Sequence, residues 1–310
     1  MNMTEQPIRL VTVAGPTASG KTSLAVTLAK AKNGEVVSAD SMQVYAEPRI
    51  GTARPNEQEM QGIPHHLLGV LPISEAYSVA QYAADATAVI ADIHARGKLP
   101  ILCGGTGLYI QAVTENLTFS PEQSHTECRA RLKQRASEEG GAALLEELRR
   151  IDPETAARLH QNDEGRIIRA LEVYETTGRT MTEQRLLSRH PPSPYDQCII
   201  ILDFRDRANL YARIDRRGDV MLQQGLLEEA RTLLSAPTAP TAMQAIGYKE
   251  LAPYFAGELS LEQAVANLKQ STRRYAKRQL SWFRRLDSHV LYVDDYATAD
   301  ELAVAALQLI

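Results

Sequence analysis

Eight residues near the start of the chain, Gly15-Pro-Thr-Ala-Ser-Gly-Lys-Thr22, carry the G-x-x-x-x-G-K-[ST] spacing of a phosphate-binding loop. The glycines let the backbone curl so that successive N–H groups point inward, Lys21 adds a full positive charge, and the Thr22 hydroxyl can hold a magnesium ion. Gly15, Thr17, Ala18, Ser19, Gly20, Lys21 and Thr22 are therefore candidates for gripping a polyphosphate. Two further groups stand where apolar runs end: Asp40 after Glu35-Val-Val-Ser-Ala39, and Thr106 inside Gly104-Gly-Thr-Gly107. Arg213 and Arg217 lie four apart, on one face of a helix, where their forked guanidinium groups could engage phosphate oxygens in pairs. An ion pair with Asp215 or Glu228 is the structural alternative for those arginines. His65 and His66 read as packing or turn residues, since no third metal ligand stands at a familiar spacing.

These groups need rigid elements beneath them. Ile8–Ala14 alternates like a strand, Ser23–Lys30 is helix-forming, and short apolar runs at 35–39, 99–103, 198–203 and 290–293 alternate with helical stretches such as 78–96. That order predicts an α/β fold: a P-loop NTPase-like parallel sheet with helices on both faces and ligands beyond the carboxyl ends of the strands. From about Glu115 to Pro194 the strand pattern gives way to helix punctuation. Ser124 with Glu127 fits a capping box, Asp152 before Pro153 fits an N-cap followed by a first-turn proline, and Gly178 fits a helix stop. The expected organisation is a core of residues 1–114 and 195–310 with a helical insertion domain at 115–194.

The last long helix begins at a Ser260/Gln263 capping box and places Val265, Leu268, Thr272, Tyr275, Gln279, Trp282 and Leu286 on one stripe. Lys269, Arg273, Arg274, Lys277, Arg278, Arg284 and Arg285 fall mostly on the opposite arc, with no acidic residue from Gln263 to Leu286. A single-sign run of this kind points to a polyanionic partner rather than to a merely solvated face. The net charge of -4 excludes a uniformly basic nucleic-acid binder but leaves room for such a stripe. Three scattered cysteines without paired spacing read as reduced and structural. With no leader-like start and no stretch approaching the ~20 apolar residues of a membrane span, the expectation is a cytoplasmic protein without membrane contact.

Three chemistries fit the phosphate loop: an NTPase or switch, a small-molecule kinase, and a transferase that holds a diphosphate leaving group. The guanine-reading N-K-x-D segment of a GTPase is missing from the sequence. A kinase would use Asp40 to take a proton from its acceptor and could use Asp203 to position a metal.

The choice tilts on an ordered set of strings. Asp40-Ser-Met-Gln-Val-Tyr45, Gly51-Thr-Ala-Arg-Pro55, Pro64-His-His-Leu67, Gly104-Gly-Thr-Gly-Leu-Tyr109, Arg166-Ile-Ile-Arg-Ala-Leu-Glu172, Ala245-Ile-Gly-Tyr-Lys249 and Lys277-Arg-Gln-Leu-Ser-Trp-Phe-Arg284 follow the phosphate loop in this order. Together they resemble the tRNA dimethylallyltransferase (tRNA isopentenyltransferase) family, of the bacterial type that lacks a C-terminal zinc-binding extension. Arg54 departs from the pattern, where lysine is common, and leaves the candidate active residues in place.

The resemblance implies transfer of a five-carbon dimethylallyl group from dimethylallyl diphosphate to the exocyclic amine of the adenosine 3′-adjacent to a tRNA anticodon, with Mg2+ as cofactor. It implies Asp40, Thr106 and Arg217 as catalytic residues and the phosphate loop with Arg213 and Arg217 as the diphosphate site. Asp40 would accept the amine proton, a magnesium-positioning acid being its alternative, and Thr106 would orient the amine or the diphosphate. The adenosine must leave its stack to reach Asp40. Ser41, Met42 and Gln43 would line its pocket, and Arg129, Arg166, Arg169, Gly247, Tyr248, Lys249, Lys277, Arg278, Gln279, Trp282 and Arg284 would hold the tRNA. For Trp282, core packing competes with base stacking. The related adenylate isopentenyltransferases are the neighbouring alternative, and a monomer is the expected state.

Overall fold

The architecture follows from six short segments that pair into one parallel sheet: β1 (Ile8–Ala14), β2 (Gly34–Ser38), β3 (His65–His66), β4 (Leu99–Gly104), β5 (Tyr195–Asp203) and β6 (His289–Tyr292), in the order β3-β2-β4-β1-β5-β6. The computed structural model describes residues 7–119, 126–188, 192–239, 242 and 245–310. The chain divides into two compact units, Met1–Thr114 with Pro194–Ile310, and Glu115–Ser193.

In the first unit the strands are joined and covered by α1 (Lys21–Lys32), α2 (Glu57–Met60), α3 (Val79–Ala95) and α4 (Gly107–Thr114). Alternation along the central strands feeds two cores. Val11, Val13, Ile101, Ile200 and Leu202 pack with Leu24 and Leu28 of α1 on one face. Leu10, Leu102, Ile199 and Ile201 pack with Tyr82, Ile90 and Ile93 of α3 on the other. Burial on both faces makes these segments read as nearly continuous apolar runs, as parallel strands do.

The second unit consists of α5 (Thr126–Glu139), α6 (Gly141–Ile151), α7 (Pro153–Ala156), α8 (Glu164–Thr177) and α9 (Met181–Leu187), built around Leu132, Leu144, Leu148, Ile167 and Leu171. Asp152 caps α7 by accepting the Thr155 N–H at 3.1 Å, with Pro153 in the first turn. Gly178 ends α8 in the left-handed region at φ 68°. The expected Ser124 cap falls outside the described residues.

The chain returns to the first unit at β5 and continues through α10 (Arg207–Gln223), α11 (Leu226–Ser235), α12 (Ala252–Phe255), α13 (Leu261–Phe283) and, after β6, α14 (Ala299–Leu307). The Ser260/Gln263 capping box opens α13. No helix of the described residues is long and apolar enough to cross a membrane.

Candidate active site

The strand order places β2, β4 and β1 side by side, with Ser38 registered on Cys103 and Ala14 on Gly104. The loops that leave their carboxyl ends, Asp40–Gln43, Gly105–Thr106 and Gly15–Gly20, are therefore neighbours. Their packing is tight: a Cβ at Gly104 would stand 2.1 Å from the Ala39 carbonyl oxygen, so only glycine permits the approach.

The phosphate loop has the backbone its glycines predict. Gly20 sits at φ 94° and Ala18, a non-glycine residue, at φ 64°. Gly20 gives α1 no side-chain cap and the first turn holds no acid, so the helix start presents unsatisfied N–H groups and partial positive charge to an anion. Lys21 donates from Nζ to the Pro16 carbonyl at 2.7 Å, folded back over the loop. Burial lowers its pKa to about 8, Arg217 adds to the lowering, and Cys103 and Asp40 oppose it. The Ser19 hydroxyl is buried and without a hydrogen-bond partner among the described residues.

One cleft of about 390 Å³ collects these groups. Thr17, Ala18, Lys21 and Thr22 line it beside Asp40, Ser41, Met42 and Gln43, with Arg217 on α10 and Lys269, Thr272, Tyr275, Arg278 and Gln279 on α13. Asp40 Oδ1 accepts the Met42 N–H at 2.9 Å, and Oδ2 has no hydrogen-bond partner among the described residues. The Thr106 hydroxyl accepts the Ser41 N–H at 2.9 Å and donates to the Ser41 hydroxyl at 3.2 Å, fixing the loop that carries Asp40. Arg217 reaches the cleft without an ion pair among the described residues; burial lowers its pKa, while Asp40 and Glu59 pull it back up. Arg213 instead donates from Nε to the Ala18 carbonyl at 2.8 Å, bracing the phosphate loop. Asp215, the alternative partner of either arginine, pairs with Arg273 at 2.8 Å.

A family model described as IPP transferase matches residues 43–286. The tRNA dimethylallyltransferase of Caldanaerobacter subterraneus subsp. tengcongensis is 48% identical over 299 residues, which cover 95% of each chain. That of Geobacter sulfurreducens is 45% identical over 99% of this chain and 98% of its own. The chain belongs to the IPP transferase family. Solved structures agree: the tRNA isopentenylpyrophosphate transferase from Bacillus halodurans superposes with a TM-score of 0.72 at 41% identity, covering 97% of this chain and 94% of that one. A eukaryotic dimethylallyltransferase acting on tRNA superposes with a TM-score of 0.80 at 30% identity, over 97% of this chain and 79% of that one.

Within this IPP transferase, α13 departs from the simple two-faced reading of its sequence. Leu268, Thr272, Tyr275 and Gln279 line the cleft, while Ala276 and Leu280 pack on Leu210 and Ile214 of α10. Two of the seven cations are already neutralised on α10, Lys269 by Asp219 and Arg273 by Asp215. Arg274, Lys277, Arg278, Arg284 and Arg285 are exposed.

Several residues expected to hold the tRNA have partners within the protein. Gln279 is 5% exposed; its Oε1 accepts the Thr17 N–H at 2.9 Å and its Nε2 donates to the Gly105 carbonyl at 2.9 Å, tying the phosphate loop to the Thr106 turn. Tyr248 is buried and donates to Glu229 at 2.8 Å. Trp282 is half-buried, its indole so close to Gly107 that a Cβ there would stand 2.4 Å from it. In the second unit, Arg129 and Arg169 both pair with the buried Glu172, at 2.7 and 3.0 Å, while Arg129 and Arg166 remain exposed. Gly247 and Lys249 line the cleft.

Asp203, the kinase-type metal acid of the sequence reading, is paired with Arg207 at 2.6 Å and also accepts the Phe204 N–H. His66 Nε2 contacts Glu35 at 2.7 Å and His65 Nδ1 contacts the Ile63 carbonyl at 2.9 Å. The sequence reading did not reach Glu229. An acid in a helix's first turn reads as a dipole complement, and nothing local says that it bonds residues about 180 positions away.

Proposed function

We propose that this chain transfers the dimethylallyl group of dimethylallyl diphosphate to the exocyclic N6 amine of the adenosine 3′-adjacent to the anticodon in tRNAs. One observation carries the reading: the phosphate loop and the open oxygen of Asp40 face a single cleft, whose wall includes a helix bearing cations on its exposed side. A small-molecule kinase is less well served, because its second acid, Asp203, is engaged by Arg207.

In this reaction the adenine nitrogen forms a bond to the primary allylic carbon, the carbon–oxygen bond to diphosphate breaks, and the amine loses a proton. Negative charge gathers on the departing diphosphate. The loop amides, the ammonium of Lys21 and the guanidinium of Arg217 stabilise that charge in this reading, and removal of one such donor typically costs ~10²–10³ in rate. Asp40 Oδ2 takes the proton as the amine becomes acidic during bond formation. Thr106 sets the Asp40–Ser41 backbone, and Arg213 sets the loop through Ala18.

Thr22 lines the cleft beside Lys21, and its hydroxyl would hold a Mg2+ there. Such an ion would neutralise charge on the leaving group. The tRNA grip falls to the exposed cations Arg166, Arg274, Lys277, Arg278 and Arg284, through salt-dependent phosphate contacts. A cytoplasmic monomer completes the proposal, since one chain supplies both the diphosphate cradle and the cations.

The test is incubation with Mg2+, dimethylallyl diphosphate and unmodified tRNA, in parallel with free AMP and with ATP plus small acceptors. Prenylated adenosine in tRNA is the expected product. Prenylated AMP with unmodified tRNA, or phosphate transfer from ATP, would overturn the assignment.

A further inference from the structure

Part of the cleft wall outside the phosphate loop is held by a group that takes no part in the mechanism above. Glu229, in the first turn of α11, accepts four hydrogen bonds with one carboxylate. Oε2 takes the Arg49 and Ile50 N–H groups, each at 2.9 Å, and Oε1 takes the Gly51 N–H at 2.9 Å and the Tyr248 hydroxyl at 2.8 Å. Three successive backbone amides turned onto one acid form a nest, here filled by the protein's own anion.

Both strings that end on this carboxylate line the cleft. Gly51, Thr52 and Ala53 belong to one, and Ala245, Ile246, Gly247 and Lys249 belong to the other. They meet closely, since a Cβ at Gly51 would lie 2.6 Å from the Tyr248 hydroxyl oxygen. The first string does not hold its shape by its own preference. Ala53 sits at φ 49°, the left-handed region that costs a residue with a Cβ, and such a conformation persists only where surrounding bonds over-determine it. Glu229 supplies the bonds on one side. The Gln43 side-chain amide supplies those on the other, donating to the Thr52 and Ala53 carbonyls at 3.0 and 3.2 Å. Gln43 follows Asp40 by three residues, so the clamp and the proposed base share a loop.

We infer that Glu229 is a positioning residue for the acceptor: it staples the 49–53 and 245–249 segments into the wall against which the tRNA adenosine is placed, and leaves the diphosphate cradle alone. This rests on the function proposed above. None of the four donors comes from the phosphate loop, from α1 or from Arg217, so its loss should separate the two substrates.

The experiment compares wild type with Glu229→Gln and Tyr248→Phe in steady-state assays with each substrate varied in turn, alongside direct binding of dimethylallyl diphosphate and thermal melting. An amide in place of the carboxylate turns an N–H₂ toward backbone N–H groups and breaks the nest. Tyr248→Phe removes one bond of the four and is the milder probe should Glu229→Gln fold poorly. The expected result is a rise in KM for tRNA of about tenfold for Glu229→Gln and a smaller rise for Tyr248→Phe, with the Kd for dimethylallyl diphosphate within about twofold of wild type. A role confined to stability would lower the melting temperature and leave KM for tRNA unchanged in the folded fraction, and that outcome would overturn the inference. So would parallel weakening of both substrates. If wild type itself prenylates no tRNA, the functional reading fails first and is recognised separately.

Discussion

Raising the pH from 7 to 9 should strip most of the charge from Lys21 and weaken the grip on the donor. Burial holds the Lys21 ammonium at a pKa of about 8, with Arg217 adding repulsion. In the ligand-free protein about nine-tenths of Lys21 is then charged at pH 7, half at pH 8 and about one-tenth at pH 9. A bound diphosphate favours the charged form, so binding above pH 8 must take up a proton. The apparent Kd for dimethylallyl diphosphate should accordingly rise about tenfold between pH 7 and 9. Calorimetry in two buffers of different ionisation heat reads both the Kd and the proton uptake. A Lys21→Arg variant stays charged throughout and should show a flat profile in this range, whatever its absolute affinity. The ligand-free protein carries the opposite sign. Because the folded pKa lies below that of an unfolded lysine, the unfolded chain binds the extra proton between about pH 8 and 10.5, and stability from this group rises over that window. A wild-type Kd that stays constant from pH 7 to 9, or a break that survives in Lys21→Arg, would refute the reasoning.

Asp40→Asn should abolish transfer while leaving tRNA binding, read by filter retention, within a few-fold of wild type, because the amide cannot accept the amine proton. Replacing Arg274, Lys277 and Arg284 together by alanine should weaken tRNA binding at low salt and reduce the slope of log K against log salt by roughly 0.7–0.9 for each phosphate that these side chains neutralise. Glu35 is buried and receives Arg96 through two hydrogen bonds of 2.6 and 2.7 Å, together with Lys98 and His66. These partners, Arg96 foremost, hold its carboxyl well below the ordinary carboxylate range against the cost of burial. Glu35→Gln should therefore cost about 1–3 kcal/mol in chemical denaturation at neutral pH. The stabilisation is present above the unfolded carboxylate pKa near ~4.3 and is lost as the pH falls toward the folded value, so wild type and variant should converge in acid.

The parts of the molecule legible in the sequence are those set by short-range rules. The alternation of Ile8–Ala14, the glycine-spaced loop and the helix from Lys21 could be read directly, as could the caps at Asp152 and Ser260 and the stop at Gly178. Each depends on residues within a few positions of one another. The two-residue strand His65–His66 escaped, because an edge strand that short has no period to detect. Strands β5 and β6 begin earlier than their apolar runs, at Tyr195 and His289: pairing of β5 with β1 extends past its continuously buried stretch, and β6, which has no buried residue, pairs with β5 from His289. On α13 the spacing identified a stripe but not what lies across from it, so the cleft-lining of Thr272, Tyr275 and Gln279 had no signature. The pairing of Lys269 and Arg273 with α10 was hidden for the same reason, as was the reach of Glu229 to Arg49, Ile50 and Gly51.

The pairing of β1 with β5 has a consequence during synthesis. Arg9 and Asp196 face each other across this ladder, 187 positions apart in the sequence. At ribosomal speeds of about 5–20 residues per second, the first strand waits roughly 10–40 s for its partner to emerge. Through that interval one side of an apolar ribbon has no neighbour, and strands in that condition recruit other chains. Expression at a slowed translation rate, or with a holding chaperone withdrawn, should strike this chain harder than one whose adjacent strands are contiguous.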